Sequence, residues 1–282
     1  MRASRWNEVS NAEAYAAFTR RFPMYADTSR DVVERAEVTE ADGVLDLCCG
    51  TGVTTRVLLS RLPERAEVWS VDGSPAMLDA ARAETADPRV TWIQSPAEEV
   101  DRCRGESAPL VDAVVCNSAI WQTELPATFA AVRRVLRPGG RFVFNVGSQF
   151  VRVPGQEPPE LPPETASLAR LMRKVAIEEF GYRPQPAPRR RKPFSPDGIR
   201  DELAGAGFRQ QAAETVAYDD PPDLTRAWLE VPIFADNICP GLPYEQQRQA
   251  LELAAQRVEP AQRRPAEWYV VTAVADPDVV TC

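Results

Sequence analysis

A glycine turn and two acids carry the chemistry that the residue types allow. The segment Val44-Leu45-Asp46-Leu47-Cys48-Cys49-Gly50-Thr51-Gly52 reads as a buried strand that bears an acid and opens through glycines into a helix. Glycine there lets a ligand approach the backbone closely, and a side chain at Gly52 is expected to occupy that approach path. A second strand ends Val71-Asp72-Gly73-Ser74-Pro75. An acid at such an edge can accept hydrogen bonds from both hydroxyls of a ribose. Nicotinamide and flavin enzymes also use strand, glycine turn and helix, but their fingerprint wants a third small residue after G-x-G-x-x. Here the chain continues Val53-Thr54-Thr55 instead.

Two further strands follow, Trp92-Ile93-Gln94-Ser95-Pro96-Ala97 and Val111-Asp112-Ala113-Val114-Val115-Cys116-Asn117-Ser118-Ala119-Ile120-Trp121, and then the turn Leu136-Arg137-Pro138-Gly139-Gly140-Arg141-Phe142. Together these segments resemble the motifs of the class I S-adenosylmethionine-dependent methyltransferases, in their small-molecule, secondary-metabolism-like branch. The resemblance covers Val44 to Val146 and elsewhere extends to layout alone. It implies that Asp46 meets the ammonium end of S-adenosylmethionine, directly or through water, and that Cys48, Gly50 and Gly52 form the cofactor turn. Asp72, with Gly73 and Ser74, is the ribose acid, and Met77 packs near the adenine, though alone it would read as helix core. Where the family commonly has an aspartate for the adenine amino group, this chain has Pro96, which leaves Ser95, Gln94 and the Ala97 N–H as readers. Asn117, Ser118 and Trp121 fall beside the transferring methyl, Asn117 serving cofactor and acceptor together; Trp121 could equally pack the following helix.

The implied reaction is in-line attack of a small-molecule acceptor on the sulfonium methyl in a pocket that excludes water. The chain contains no histidine, so a base would have to be Asp, Glu or Tyr. The catalytic candidates are Tyr25, Asn117, Trp121 and Glu124, with Tyr25 and Glu124 as candidate bases. Two other readings stay open: an enzyme of this fold that does not methylate, such as a cyclase, and a non-catalytic partner protein that keeps the cofactor-binding fold.

These residues need a scaffold, and the pattern supplies one. From Gly43 onward, β-branched runs alternate with helical stretches, which predicts an α/β, doubly wound (Rossmann-like) seven-stranded sheet, mostly parallel with one antiparallel strand, plus helical lid insertions. Strands are expected at Val44–Cys48, Glu67–Asp72, Val90–Gln94, Val111–Cys116, Arg141–Val146, Phe208–Tyr218 and Trp268–Ala275, the last antiparallel. Helices are expected at Thr54–Arg61, Pro75–Glu84 with Ser74 as N-cap, near Glu98, and at Thr123–Leu136, with Pro138-Gly139-Gly140 breaking the chain before the next strand. Four regions follow: 1–40 an N-terminal helical lid carrying Tyr15, Phe18, Phe22 and Tyr25; 41–150 the cofactor-binding core; 151–195 an inserted substrate-capping segment; 196–282 completion of the core with an inserted helical pair. Val153–Pro163, with its five prolines, reads as a connector, followed by helices at Glu164–Phe180, Pro196–Ala206, Leu224–Asp236 and Tyr244–Val258. The later helices would cap an apolar chamber with Trp121, Trp228, Phe234 and Tyr244 as liners.

Composition narrows the partners. With 33 Lys and Arg against 41 Asp and Glu, the net charge of −8 disfavours nucleic acid. No apolar run approaches the roughly 20 residues of a bilayer span, and no signal-peptide core is seen, so no membrane partner and a cytoplasmic setting are expected. The six cysteines are scattered without a C-x-x-C pair, so no metal site is expected, and Cys48 and Cys116 read as buried structural thiols. The run Arg189–Lys192 reads as a solvated turn. The sequence does not set an oligomeric state.

Overall fold

The computed structural model describes residues 3–103, 108–155, 166–184, 192–219, 221, 223–259 and 265–277. Most of the five-proline connector, Arg189 to Arg191 of the basic run, Glu164 at the start of an expected helix, and Cys282 lie outside the described residues. In chain order a 3-10 turn (Ala3–Asn7) leads to α1 (Val9–Arg21), α2 (Met24–Arg35) and β1 (Gly43–Leu47). Then come α3 (Val53–Leu59), β2 (Glu67–Asp72), α4 (Pro75–Glu84), β3 (Val90–Gln94), a 3-10 turn (Ala97–Glu99), α5 (Val100–Cys103), β4 (Val111–Cys116), α6 (Leu125–Val135) and β5 (Leu136–Gly147). The remainder is α7 (Leu168–Phe180), α8 (Pro196–Gly205), β6 (Phe208–Tyr218), α9 (Leu224–Leu229), α10 (Pro232–Ile238), α11 (Tyr244–Arg257) and β7 (Ala266–Ala275).

The sheet has seven strands in the order β3-β2-β1-β4-β5-β7-β6. Strands β1 to β5 pair in parallel, and β7 runs antiparallel between β5 and β6. The central strand β1 is buried along its whole length, which is why it reads as a continuous apolar run rather than an alternation. Neighbouring side chains of β5 serve opposite faces. Phe142 and Phe144 join Phe129 of α6 in one core, while Val143 joins Val44, Val68, Val115, Val32 of α2 and Leu58 of α3 in the other. Ser74 caps α4 by accepting the Met77 N–H at 3.2 Å, with Pro75 in the first turn.

Several element boundaries differ from expectation, among them α7, which starts at Leu168 against an expected Glu164, and three of the differences have a plain physical cause. Strand β5 starts at Leu136, opposite Val111, and Arg141 is the next paired residue, opposite Ala113. Pro138-Gly139-Gly140 therefore bulges within the strand instead of preceding it. Helix α6 starts at Leu125 with Glu124 as its cap residue and a proline in its first turn. The expected helix Leu224–Asp236 is two helices, because Pro232 takes the first turn of a new one.

Candidate active site

The chain builds β1, β2 and β3 in one direction across the sheet and then returns to β4 on the other side of β1. The reversal opens a crevice at the carboxyl ends of β1 and β4, where open α/β sheets bind ligands. The glycine turn follows β1, with Cys48, Gly50 and Gly52 in left-handed conformations at φ of 57°, 54° and 77°. A Cβ on Gly50 would meet nothing within 4 Å, whereas one on Gly52 would face Trp92 at 3.1 Å and Ala81 at 3.3 Å. Gly50 is thus the position open to close approach. This corrects the expectation for Gly52, whose missing side chain would point into the protein and whose conformation is what requires glycine.

Asp72 ends β2 and holds the turn. Its Oδ2 accepts the Gly50 N–H at 2.9 Å and its Oδ1 the Ser74 N–H at 2.8 Å. Burial raises its pKa against the lowering effect of those two donors. Asp46 is buried on β1, where Oδ2 accepts the Thr55 hydroxyl at 2.6 Å and Oδ1 has no partner among the described residues. Burial pushes its pKa up to about 7, with the Thr55 hydrogen bond opposing and the charge of Asp72 adding to the rise. Two acids, one buried with an unpartnered carboxylate oxygen and one half-buried, beside an open glycine backbone suit a ligand that presents an ammonium group and a ribose.

The other cofactor candidates surround this point. Gly73 lies at the same strand end, where an added Cβ would come no nearer than 3.9 Å to any neighbour, the Ser95 carbonyl oxygen. Ser74 donates its hydroxyl to the Trp6 carbonyl at 2.7 Å, so the amino-terminal turn is tied to the start of α4. Met77 is buried with Ala12 and Ala76 against Trp6 and Tyr15. Ser95 is buried, with its N–H on the Asp72 carbonyl at 3.1 Å, and Ala97 is buried at the start of the following 3-10 turn. The neighbouring Cys116 and burial hold the Cys48 thiol well above the usual thiol range, which disfavours the thiolate.

At the end of β4 a polar network joins four elements. The Asn117 amide donates to the Ser29 hydroxyl at 2.9 Å and the Tyr25 carbonyl at 3.2 Å, and its oxygen accepts from Asn145 at 2.8 Å. Asn145 Oδ1 accepts the Ser118 N–H at 2.6 Å, and Trp268 donates to the Ser118 hydroxyl at 2.8 Å. Every polar atom of the Asn117 side chain is therefore engaged by protein. Asn145, Ser29 and Trp268 were not singled out in the sequence. Asn145 had a readable signal, a lone amide inside the apolar run Phe142–Val146.

Over this network lies an aromatic cluster of Trp6, Tyr15, Tyr25, Trp228 and Phe234; Trp228 and Phe234 stack at 3.8 Å, and Tyr15 and Tyr25 lie 5.5 Å apart. Burial raises the Tyr25 pKa, against the lowering effect of the Tyr15 and Trp228 side chains beside it. Tyr25 therefore stands as a neutral hydroxyl at physiological pH and not as a phenolate base. Glu124 is exposed at the amino end of α6, where its backbone N–H donates to Glu98. Trp121 stacks on Phe150 at 4.0 Å and donates to the Ser118 carbonyl at 3.0 Å. Tyr244, expected among the pocket liners, is exposed with its hydroxyl on the Glu230 carbonyl. Among the described residues no group of three metal-ligating side chains comes together, and no helix is long and apolar enough to cross a membrane.

Residues 44–140 match a family model described as a methyltransferase domain. Over 113 residues the chain is 36% identical to a trans-aconitate 2-methyltransferase of Azoarcus sp. (strain BH72), covering 40% of this chain and 42% of that protein. Over 152 residues it is 34% identical to a malonyl-[acyl-carrier protein] O-methyltransferase of Serratia marcescens, covering 49% and 54%. The chain spans about half the length of the curated relatives it matches. Among solved structures it is similar to a complex between the Haloferax volcanii Trm112 methyltransferase activator and a methyltransferase, with a TM-score of 0.56 at 17% identity over 96% of this chain and 98% of that one. It is also similar to the [4+2]-cyclase SpnF, with a TM-score of 0.53 at 16% identity over 89% and 81%. At these identities the structural likeness is one of fold.

Proposed function

We propose that the protein, whose residues 44–140 match a methyltransferase-domain model, is a class I S-adenosylmethionine-dependent methyltransferase that transfers a methyl group to a small-molecule acceptor. The observation that carries this reading is the Asp72 carboxylate holding Gly50 and Ser74 beside a glycine whose Cβ position is open. Asp72 would accept the ribose hydroxyls on its remaining lone pairs, and the unpartnered Oδ1 of Asp46 would face the ammonium. Met77, Ser95 and Ala97 would border the adenine, with Cys48, Gly52, Gly73 and Ser74 shaping the crevice. When bound, the cofactor presents a methyl on a sulfonium that is already electrophilic.

What this chain's residues add is positioning and exclusion of water. Asn117, with its amide fully engaged, would act as a positioning residue that locks the end of β4 to α2 and β5. Tyr25, as a neutral hydroxyl, would donate to the acceptor rather than deprotonate it, so the acceptor's own acidity would release its proton. Trp121 would form a wall of the acceptor pocket, and Glu124 would stand at its rim. The amino-terminal helices would serve as the lid, and α7 with α9 to α11 as the cover of the acceptor side. The names of the trans-aconitate and malonyl-[acyl-carrier protein] methyltransferases support a carboxylate as the acceptor group. A place in secondary metabolism and a cytoplasmic setting belong to the same proposal and rest on the sequence reading.

The test is incubation with S-adenosylmethionine and candidate carboxylates, followed by mass analysis, with Asp72→Ala as control. A gain of about 14 daltons per transfer, lost in the variant, is the expected result. Consumption of an acceptor at unchanged mass would identify a non-methylating enzyme, and failure to bind the cofactor would remove the reading altogether.

A further inference from the structure

A second cleft lies away from the crevice, between α1, α2, α3 and the end of α4. Its volume is about 470 Å³, within the range that holds a small metabolite. Four arginines line it: Arg20 of α1, Arg30 of α2, Arg56 of α3, and Arg61 just beyond α3; the one acid in its wall is Glu84. Glu84 is shared, pairing with both Arg20 and Arg56, the latter at 3.3 Å. Arg30 pairs with Asp27. The Arg61 side chain has no hydrogen bond or ion pair among the described residues. Four cations thus meet two carboxylates in a chain whose net charge is −8, so the positive excess is local and against the trend of the composition.

Arg20, Arg30 and Arg61 are exposed to solvent, and Arg56 is the half-buried member of the group. Arg56 is only 32% exposed, and its guanidinium is fixed by the Thr51 carbonyl at 3.0 Å and the Thr85 hydroxyl at 3.3 Å. Burial lowers its pKa, the charge of Glu84 opposes that fall, and the charge of Arg20 adds to it. One carboxylate bridging two guanidinium groups leaves N–H donors on each, and Arg30 and Arg61 add more from facing walls. Planar forks of this kind match the paired oxygens of carboxylates and phosphates.

We infer that this cleft is a binding site for a small dianion, a phosphate monoester or a dicarboxylate, held between the arginines of α1 and α2 and those of α3. Because α1 packs on α4 and α2 on α3, which starts from the glycine turn, the bound anion would clamp the amino-terminal helices to the core. The inference stands apart from the acceptor and the reaction, since it concerns binding of the anion alone.

The test is calorimetric titration of the full chain, in low-salt buffer free of polyvalent anions, with inorganic phosphate in one arm and succinate in the other. Saturable one-site binding is expected, weakened at least tenfold in Arg30→Gln/Arg61→Gln and unchanged in Arg248→Gln, a cation on α11. Hydrogen exchange in α1 and α2 should slow when the anion is bound. Binding of phosphate alone identifies the phosphate ester, binding of succinate alone the dicarboxylate, and binding of both the shared chemistry; each supports the site. Should the double variant fail to fold, Arg61→Gln carries the comparison, with an expected loss of at least threefold. Saturation by neither probe, equal affinity in the arginine variants, or an equal loss in Arg248→Gln would overturn the inference.

Discussion

Asp72 does two things with one carboxylate, and they are not separable by deleting it. Each oxygen takes a backbone N–H, from Gly50 and Ser74, so the group that would bind ribose also shapes the loop around it. Asp72→Asn keeps one acceptor and loses the charge. Cofactor affinity should fall by about 1.5–3 kcal/mol, the scale for hydrogen bonds to a charged group, with a lower melting temperature as well. Calorimetry and thermal melting on the one variant check both; undiminished affinity would remove Asp72 from the cofactor site. Asp46 is different because its pKa stands at about 7. A carboxyl whose folded pKa is raised binds more protons in the native state than in the unfolded one between the ordinary carboxylate range and about 7. Its contribution to stability therefore falls as pH rises through that window and is constant above it. If the ionised form meets the cofactor ammonium, affinity should rise with pH up to about 7 in the parent protein and be flat in Asp46→Asn. Equal pH profiles in the two proteins would count against that contact.

At the scale of elements, the glycine turn separates strain from access. Gly50 and Gly52 both lie at positive φ, yet only Gly50 faces open space. Gly50→Ala should lose cofactor affinity beyond the roughly 1–2 kcal/mol that a left-handed alanine costs the fold. Gly52→Val should instead show its main effect as lost stability, because its side chain would press on Trp92 and Ala81 in a conformation that β-branched residues resist. Melting curves beside binding isotherms distinguish the two. The elements themselves were readable wherever one rule governed the segment: β2, β3, β4 and α4 have the boundaries that alternation, Ser74 and Pro75 imply. Reading failed where a long-range pairing overruled a local signal. Pro138-Gly139-Gly140 is a turn by composition, but the pairing of Leu136 with Val111 draws the preceding residue into β5. The acids of the candidate site were legible for the same reason as the strands that carry them. The Asn117, Asn145, Ser29 and Trp268 network was not, because its partners lie up to 150 residues apart and only the assembled sheet brings them together.

Across the whole molecule, apolar burial is divided unequally. Two cores lie on opposite faces of the sheet, and both share strands β1, β4, β5 and β7. Helices α7 and α9 to α11 have a core largely of their own, built from residues such as Met172, Val175, Leu229 and Leu251, with Trp228 among the half-buried residues at its margin. The sheet is tied together by ladders running through every strand, whereas this helical cover rests on side-chain packing. Local opening follows such divisions, so the cover should exchange its amide hydrogens at lower free energy than β1, β4 and β5. Met172 is fully buried in the cover, and Met172→Ala should cost about 2–5 kcal/mol there. If the cover is an independent unit, that loss will appear in hydrogen exchange as faster opening of α7 and α11, with protection of the central strands and cofactor affinity both retained. If the molecule unfolds as one body, every strand will lose protection by the same amount, and a cover able to open over a fixed cofactor site would have to be abandoned.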